Sequence, residues 1–333
     1  MRELIISECS ELLTNRNYSV SQSYCRSCFD IIALNNKKKF LIKILKNIDS
    51  LSREQSIALL KLAKILNAIP LLIGSRTRNY LMDDGVVYER HNIKSITKNT
   101  FKNYLNGNPP VIYAKRGGFF VNIDGKELKK IREEQHISIG ELANIANVSR
   151  KTIYKYEQNA ANPSYEVAIK IEEYLDKGIA KEIDLSKLYG NEILEENLNN
   201  SENYEEDEFK MVVLDLLRDL GFNLTKTEKA PFDLVAEDKH KEENFENSIN
   251  NINSINNTLI LTNIEEHDNI DIRKKATIVS QISELLNGYS VIISDDNIVA
   301  PKNIQTLTFK ELEKMEDTID LLDHILQYKK GIR

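Results

Sequence analysis

Near the middle of the chain, residues 128–175 read LKKIREEQHISIGELANIANVSRKTIYKYEQNAANPSYEVAIKIEEYL. Apolar residues recur at helical spacing through this segment and stop at two short polar breaks. The pattern predicts three successive helices, over Lys126–Gln135, Ile139–Ala146 and Arg150–Glu157. Only Asn147–Ser149 separates the second helix from the third, and such a tight turn is typical of a helix-turn-helix.

The residues at and before this turn have the properties that the motif needs. Ala143 is small enough to let the third helix cross the second closely. Asn147 tolerates the positive φ that the turn requires, and Val148 supplies a buried aliphatic contact. The spacing therefore predicts a helix-turn-helix and not three unrelated helices.

The third predicted helix has a buried side and an exposed side. Ser149 can cap its N-terminus, while Ile153 and Tyr156 lie on the side that faces the core. The outward side carries Arg150, Lys151, Thr152, Tyr154 and Lys155. Arg and Lys bind guanine edges and phosphates, and the Thr methyl group or the Tyr ring can contact thymine. We predict that Ser149 and these outward residues bind DNA in the major groove.

The segment resembles the helix-turn-helix of the Cro and phage-repressor family. The matching positions are Leu128, Ile131, Arg132, Leu142, Ala143, Val148, Ser149, Ile153, Tyr156, Glu157 and Pro163. This chain has Ile139 where the family usually has a DNA-contacting Gln, and Asn147 where the family usually has Gly. The resemblance implies binding to double-stranded DNA, without the contact that the Gln provides.

Further motifs outside this segment resemble a family of archaeal transcriptional regulators over most of the chain. They are FDIIA (29–33), SLSREQ (50–55), DDGVVYERHNI (83–93) and YAKRGGFFVNIDG (113–125). In the last motif, Lys115 and Arg116 precede a Gly-Gly turn at the tip of a predicted hairpin. Because Gly permits close approach of the backbone, we predict that both cations contact phosphates; a solvated basic turn is the alternative.

The segments on either side of the helix-turn-helix share one order of predicted elements: helix, two strands, helix and strand. The strands of the first segment are Cys28–Ala33, Phe40–Leu45 and Pro70–Gly74. Those of the second segment are Pro231–Ala236, Thr258–Asn263 and Tyr289–Ser294. We interpret the agreement as an internal duplication. A continuous helix beginning at Thr308, with capping-box spacing to Glu311, is predicted to follow the second copy.

The repeated unit resembles the restriction-endonuclease-like fold. Active members bind a divalent metal with an Asp and the Glu of a Glu-x-Lys motif on the next strand, and the Lys assists the attacking water. Asp30 and Asp233 match the first Asp. The Glu-x-Lys positions, however, hold Lys-Ile-Leu (43–45) and Leu-Thr-Asn (261–263), so Lys43 and Leu261 replace the Glu. We expect both copies to be degenerate, with no catalytic residue, metal site or cofactor.

The predicted fold class is α/β plus α, with the helix-turn-helix bundle between two similar small α/β domains. The expected boundaries are 1–84 for the first α/β domain, 85–124 for a strand-rich connector, 125–178 for the helix-turn-helix domain, 179–208 for an acidic linker and 209–333 for the second α/β domain with its C-terminal helix. Residues 242–257, rich in Asn, Ser and Ile, are predicted to be a loop insertion.

Composition limits the class of protein further. The net charge of −6 and the pI of about 5.6 exclude coating of DNA through bulk positive charge, although a local basic face is still compatible. No apolar run is long enough to cross a membrane. Three cysteines in 333 residues do not form a disulfide framework, which indicates a reducing compartment. We therefore expect a cytoplasmic protein.

These observations together predict a sequence-specific DNA-binding regulator of transcription that is not an enzyme. We expect a homodimer, because two half-sites strengthen a modest single contact. Two alternatives stay open. A metal-dependent nuclease, with its second carboxylate from Glu54 or Glu265, would cleave DNA in magnesium. A protein-binding adaptor would show no salt-sensitive DNA binding.

Overall fold

The computed structural model describes residues 2–22, 27–186, 207–238, 259–266, 270–295 and 304–330. The chain divides into two compact units. The first consists of Met1–Arg16, Ile42–Ser56 and Ile69–Asn191, and the second of Asn17–Leu41, Ile57–Ala68 and Glu192–Arg333. Most of the predicted linker 179–208, and all of the predicted insertion 242–257, lie outside the described residues.

The chain up to residue 121 alternates helices with the strands of one mixed sheet. Its elements are α1 (Arg2–Thr14), β1 (Ser19–Gln22), β2 (Ile31–Leu34), β3 (Lys39–Ile44), a 3₁₀ helix (Ile48–Ser50), α2 (Arg53–Ile65), β4 (Ile69–Ile73), β5 (Val86–Arg90), β6 (Ile93–Ile96), α3 (Lys98–Leu105), β7 (Ile112–Lys115) and β8 (Gly118–Val121). The sheet has the strand order β1-β2-β3-β4-β6-β5-β7-β8.

The rest of the chain contains a helical segment and a second mixed sheet. The helical segment consists of α4 (Gly125–Glu134), α5 (Ile139–Ala146), α6 (Arg150–Glu157) and α7 (Tyr165–Leu175). After it come α8 (Glu208–Asp219), β9 (Phe222–Lys226), β10 (Leu234–Asp238), β11 (Leu259–Ile264), α9 (Ile270–Leu285), β12 (Tyr289–Ser294), β13 (Gln305–Thr308), α10 (Phe309–Leu312) and α11 (Thr318–Lys330). The second sheet has the order β13-β12-β11-β10-β9.

The two sheets share a strand order that extends the repeat predicted from sequence. The order β1-β2-β3-β4-β6 corresponds to β9-β10-β11-β12-β13. In both series the first two strands are antiparallel and the last two are parallel. The last strand of each series leads to a threonine that caps a helix: Thr97 caps α3, and Thr308 caps α10.

The central strands β3 and β11 have the same length and the same burial. Each has six residues, of which all but the first are buried. Such continuous burial is typical of strands covered on both faces, and it explains why both sequences are apolar runs without alternation. A buried cluster built from α8, the second sheet and α11 covers the face of β11 that carries Ile260 and Ile264; its other large members include Phe222, Ile293, Leu307 and Ile325.

Two helices differ from the sequence predictions. Helix α3 lies in the segment predicted to be a strand-rich connector, where Thr97 caps it and the fully buried Phe101 anchors it. The continuous C-terminal helix is wrong, because α10 ends at Leu312 and α11 begins at Thr318. The Asp317 side chain accepts hydrogen bonds from the N–H groups of Ile319 and Asp320, and these bonds start a new helix.

Candidate nucleic-acid interface

Serine hydroxyls fix the start of the last three helices in the segment α4–α7. Ser138, Ser149 and Ser164 accept hydrogen bonds from the N–H groups of Glu141, Thr152 and Val167, respectively. Each cap of this kind stabilises a helix by about 1 kcal/mol. Helices α5 and α6 are only eight residues long, so capping is a large part of their local stability.

The turn between α5 and α6 has the geometry predicted from its sequence. Asn147 lies in the left-handed region, with φ 54° and ψ 46°, and its N–H donates to the carbonyls of Ala143 and Asn144. The N–H of Val148 also donates to the Ala143 carbonyl, at 2.9 Å. Ala143 is 2% exposed, which confirms the prediction of a small buried residue on the second helix.

A buried ion pair joins α4 to α6. Nε of Arg132 donates to Oε1 of Glu157 at 2.6 Å, and Nη2 donates to Oε2 at 3.3 Å. Nη1 of Arg132 donates to the carbonyl of Ile137 at 2.9 Å. The two charged side chains are 8% and 2% exposed. Hydrogen bonding to Glu157 raises the pKa of Arg132 further above its usual value, so the guanidinium stays charged.

The first residue of α4 lies against the end of α6. Gly125 donates its N–H to Oδ1 of Asn159 at 2.8 Å. A Cβ at this position would overlap the carbonyl oxygen of Tyr156, so only glycine permits the approach. The ion pair and this contact together fix α6 relative to α4.

The outward face of α6 is exposed as predicted. Arg150, Lys151, Tyr154 and Lys155 are exposed, and Thr152 is half-buried. In the part of the chain that the structure describes, no carboxylate forms an ion pair with the three cations. The Ser149 and Thr152 hydroxyls lie 2.8 Å apart and hydrogen-bond to each other, so Thr152 offers mainly its methyl group to a ligand.

The hairpin β7–β8 carries the other two predicted DNA contacts. Lys115 and Arg116 are exposed at its tip, followed by Gly117 and Gly118 with φ of 104° and 131°. The ammonium of Lys115 lies 5.2 Å from the centre of the Tyr113 ring, at cation–π distance.

The base of this hairpin is attached to the loop between α6 and α7. Asn162 donates its side-chain N–H to the Tyr113 hydroxyl at 3.1 Å, and the Val121 N–H donates to the Pro163 carbonyl at 3.0 Å. Val121 and Ile123 belong to the same buried cluster as the apolar residues of α4–α7. The hairpin and the four helices therefore share one core.

The first nuclease-like copy buries the side chains at its expected metal site. Asp30, just before β2, is 5% exposed, and Lys43 on β3 is 3% exposed. In such nucleases a metal-bound water attacks the phosphodiester, so the carboxylates that hold the metal must lie where a phosphate can reach the ion. The burial of Asp30 and the cation at position 43 both oppose that chemistry.

In the second copy, strand register changes the predicted correspondence. Leu234 pairs with Thr262, which places Asp233 opposite Asn263. Asn263 is also the fifth residue of β11, as Lys43 is the fifth residue of β3. The prediction that Leu261 replaces the metal-binding Glu is therefore wrong. Asn263 occupies this position, and Glu265 follows where the Glu-x-Lys motif has its Lys.

In the second copy, a lysine pairs with each of the two carboxylates at the expected metal site, Asp233 and Glu265. Nζ of Lys210 lies 3.1 Å from Oδ1 of Asp233, and Oδ2 accepts the Ile264 N–H at 2.9 Å. Nζ of Lys275 lies 3.4 Å from Oε1 of Glu265. Among the described residues, no group of three or more His, Cys, Asp or Glu side chains is placed to hold a metal ion.

The sequence predicts the exposed residues of α6 and of the hairpin tip, but not the contacts that position these elements. In the sequence, Arg132 and Glu157 stand out only as positions that match the family; their burial, which requires that they pair, is seen only in the structure. The attachment of the hairpin to Asn162 and Pro163 has no local signal, because the partners lie far apart in sequence.

Within the described ranges, no helix is long and apolar enough to cross a bilayer.

Comparison with known proteins adds two domain matches and several full-length relatives. Residues 2–110 match a PD-(D/E)XK superfamily domain, and residues 128–181 match a helix-turn-helix (HTH). A protein of Methanococcus maripaludis is 50% identical over 338 residues, covering 100% of each chain. One of Methanocaldococcus jannaschii is 48% identical, covering 100% of this chain and 99% of its own. Both carry the provisional name HTH-type transcriptional regulatory protein.

Two more distant similarities are weaker than these. A protein of Pyrococcus horikoshii with the same provisional name is 37% identical, covering 91% of this chain and 90% of its own. Among solved structures, a chain of a SinR protein/SinI protein complex aligns with 27% of this chain and 75% of its own length. That alignment has 24% identity and a TM-score of 0.16, too low to support an argument about the fold.

We expect Glu157→Ala to destabilise the helical segment by about 3–5 kcal/mol, because the buried guanidinium of Arg132 keeps as its ion-pair partner only the exposed carboxylate of Glu133, 3.4 Å from Nη2. Chemical denaturation monitored by circular dichroism measures the loss. The matched control replaces both charges, as Arg132→Met with Glu157→Leu, and should recover most of the stability. A single substitution that costs less than the double one would contradict this account.

Proposed function

The chain belongs to a family of archaeal HTH-type transcriptional regulatory proteins, and we propose that it regulates transcription by binding specific sites on double-stranded DNA through α6. The outward face of α6 carries this proposal. It presents three cations and an exposed tyrosine on a helix that a buried ion pair and a close glycine contact hold in place. Such a helix fits the major groove of B-DNA, where side chains read the edges of the bases.

The charge of the chain supports a local interface better than a diffuse one. The whole protein is acidic, with a net charge of −6, so unspecific attraction to DNA is weak. The positive charge of α6 therefore contributes most to binding when the helix lies in the major groove, where its shape fits. We assign DNA contacts to Ser149, Arg150, Lys151, Thr152, Tyr154 and Lys155.

Lys115 and Arg116 are proposed as contacts to the DNA backbone. Their hairpin shares a core with the helices and is joined to the loop that follows α6. The tip of the hairpin therefore keeps a fixed position relative to α6. Its two glycines allow close approach to a phosphate. These contacts would add affinity without adding sequence preference.

A homodimer is the proposed DNA-binding form. One helix-turn-helix reads only a few base pairs, and two copies on half-sites about one helical turn apart multiply the affinity. We propose that the chain is divided into segments 1–84, 85–124, 125–178, 179–208 and 209–333, and that the flanking α/β segments act as scaffolds. A protein with this role works in the cytoplasm, where the archaeal genome lies.

Nuclease activity is the second candidate, favoured by the PD-(D/E)XK match over residues 2–110. The side chains at the expected positions oppose it in both copies. Asp30 is buried, and Lys43 would repel a divalent ion. Asp233 and Glu265 each pair with a lysine, and Asn263 replaces a carboxylate. We infer that neither copy is an enzyme.

We expect Arg150→Ala/Lys151→Ala/Lys155→Ala to abolish measurable specific binding, because three cationic contacts to DNA are lost and each good contact to a base contributes about 1–3 kcal/mol. The sites come from in vitro selection on random duplexes, and fluorescence anisotropy measures affinity. Lys126→Ala/Lys129→Ala/Lys130→Ala on α4 makes the same change in net charge and serves as the control. Unchanged binding by the α6 variant, with the fold intact, would disprove the assignment of α6.

Light scattering at micromolar concentration is expected to give the mass of a dimer, and the selected sites should be near-palindromes. The physical reason is the small contact of a single helix-turn-helix. A protein that stays monomeric both free and on DNA, and protects a single half-site, would rule out the proposed dimer.

Purified protein should leave supercoiled, linear and branched DNA intact in magnesium or manganese. Gel electrophoresis over a range of protein concentrations detects cleavage. Asp30→Ala and Asp233→Ala variants are the controls for a contaminating nuclease, because contamination is insensitive to either change. Cleavage that one of these substitutions removes would establish the nuclease alternative.

A further inference from the structure

The guanidinium of Arg150 lies over the start of α5, against Gly140. A Cβ built on Gly140 would be 3.0 Å from Nε, 3.1 Å from Nη2 and 3.2 Å from Cζ of Arg150. These distances are shorter than ordinary van der Waals contact, so the missing side chain of Gly140 is what makes room for the guanidinium. Arg150 is the first residue of α6 and therefore reaches back across the turn to the second residue of α5.

Two polar side chains next to Gly140 in sequence have hydrogen-bond partners of their own. Oε1 of Glu141 accepts a hydrogen bond from the Tyr174 hydroxyl at 2.7 Å. The Ser138 hydroxyl accepts the Glu141 N–H at 3.0 Å. Arg150 forms no hydrogen bond or ion pair with another described residue, and its side chain is exposed. The guanidinium therefore presents its donors to solvent, with no acceptor among the described residues.

We propose that Arg150 binds a phosphodiester of the DNA backbone, and not a base edge, and that Gly140 leaves the space that the guanidinium needs in this position. This inference rests on the proposed function and deepens it. A guanidinium has a planar fork of donors that matches two phosphate oxygens. Because the guanidinium lies against the start of α5, at Gly140, we infer that it reaches a phosphate beside that helix and not a base edge.

The assignment divides the outward residues of α6 into two roles. Arg150 sets the position of the helix on the duplex, as backbone contacts do. Sequence preference is left to Lys151, Tyr154 and Lys155, together with the methyl group of Thr152. Arg150 also supplies a charged contact beside Ile139, an apolar residue that cannot donate a hydrogen bond from its side chain.

Gly140→Ala is the sharpest test, because it displaces the guanidinium without removing it. The atoms that must move are the far end of a flexible side chain, and alanine favours helix more than glycine, so the variant should fold at least as stably. Gly178→Ala is the matched control, since the nearest atom to its Cβ is the Glu172 carboxylate at an ordinary 3.9 Å. Thermal denaturation of both variants verifies folding.

Binding is measured by anisotropy on the selected site and on a random-sequence duplex, over a series of salt concentrations. Arg150→Ala should weaken both complexes by a similar factor and lower the slope of log affinity against log salt by about 0.9, the contribution of one phosphate contact. Gly140→Ala should weaken both complexes in the same direction. Arg150→Lys, which keeps the charge but loses the fork, should bind between Arg150→Ala and the unmodified protein. Base preference should be unchanged in all three variants.

Three results would overturn the proposal. The first is an Arg150→Ala protein that relaxes preference at one base position, which would make Arg150 a base-reading residue. The second is a Gly140→Ala protein that binds like the unmodified chain, which would leave Gly140 without a role. The third is an unmodified protein with no salt-dependent binding to either duplex. That result would end the proposed function itself, and it differs from the other two because it needs no variant.

Discussion

The buried pair of Arg132 and Glu157 is the contact on which the helical segment depends. Two short helices can cross at many angles, but a guanidinium and a carboxylate removed from water must meet in a fixed, nearly planar arrangement. Their bonds of 2.6 and 3.3 Å hold the end of α6 against α4, and Gly125 allows the backbones to touch beside them. The orientation of the exposed cations of α6 follows from this arrangement.

The helices and the turn of this segment could be predicted from sequence because their determinants are local. Serines at the N-caps, Asn147 at the turn and apolar residues at helical spacing each act within one or two turns of the chain. The residues that pair with Arg132 and with the hairpin lie in other elements, so composition and periodicity do not predict these contacts. Helix α3 was missed for a related reason, since its single large buried residue, Phe101, gives little periodicity.

The misplaced correspondence of Leu261 has a different cause. Side chains alternate between the two faces of a strand, so a shift of two residues returns every side chain to the same face. Because β3 and β11 are both buried almost throughout, their hydrophobic patterns fit equally well before and after such a shift. Only the pairing of β10 with β11 places Asn263 opposite Asp233. In the corrected alignment the second copy has one carboxylate of the motif, Asp233, and a further carboxylate, Glu265, at the position of the motif's Lys; each pairs with a lysine.

Helices α5 and α6 have eight residues each, and this length makes their formation cooperative with the surrounding core. Isolated helices shorter than about 12–15 residues are marginal in water, so neither persists once the core opens. The DNA-binding surface proposed for these helices is consequently either fully formed or absent, and no partly folded state binds DNA weakly. On warming, the protein should lose DNA binding abruptly, at the temperature where the core that these helices share with hairpin β7–β8 melts.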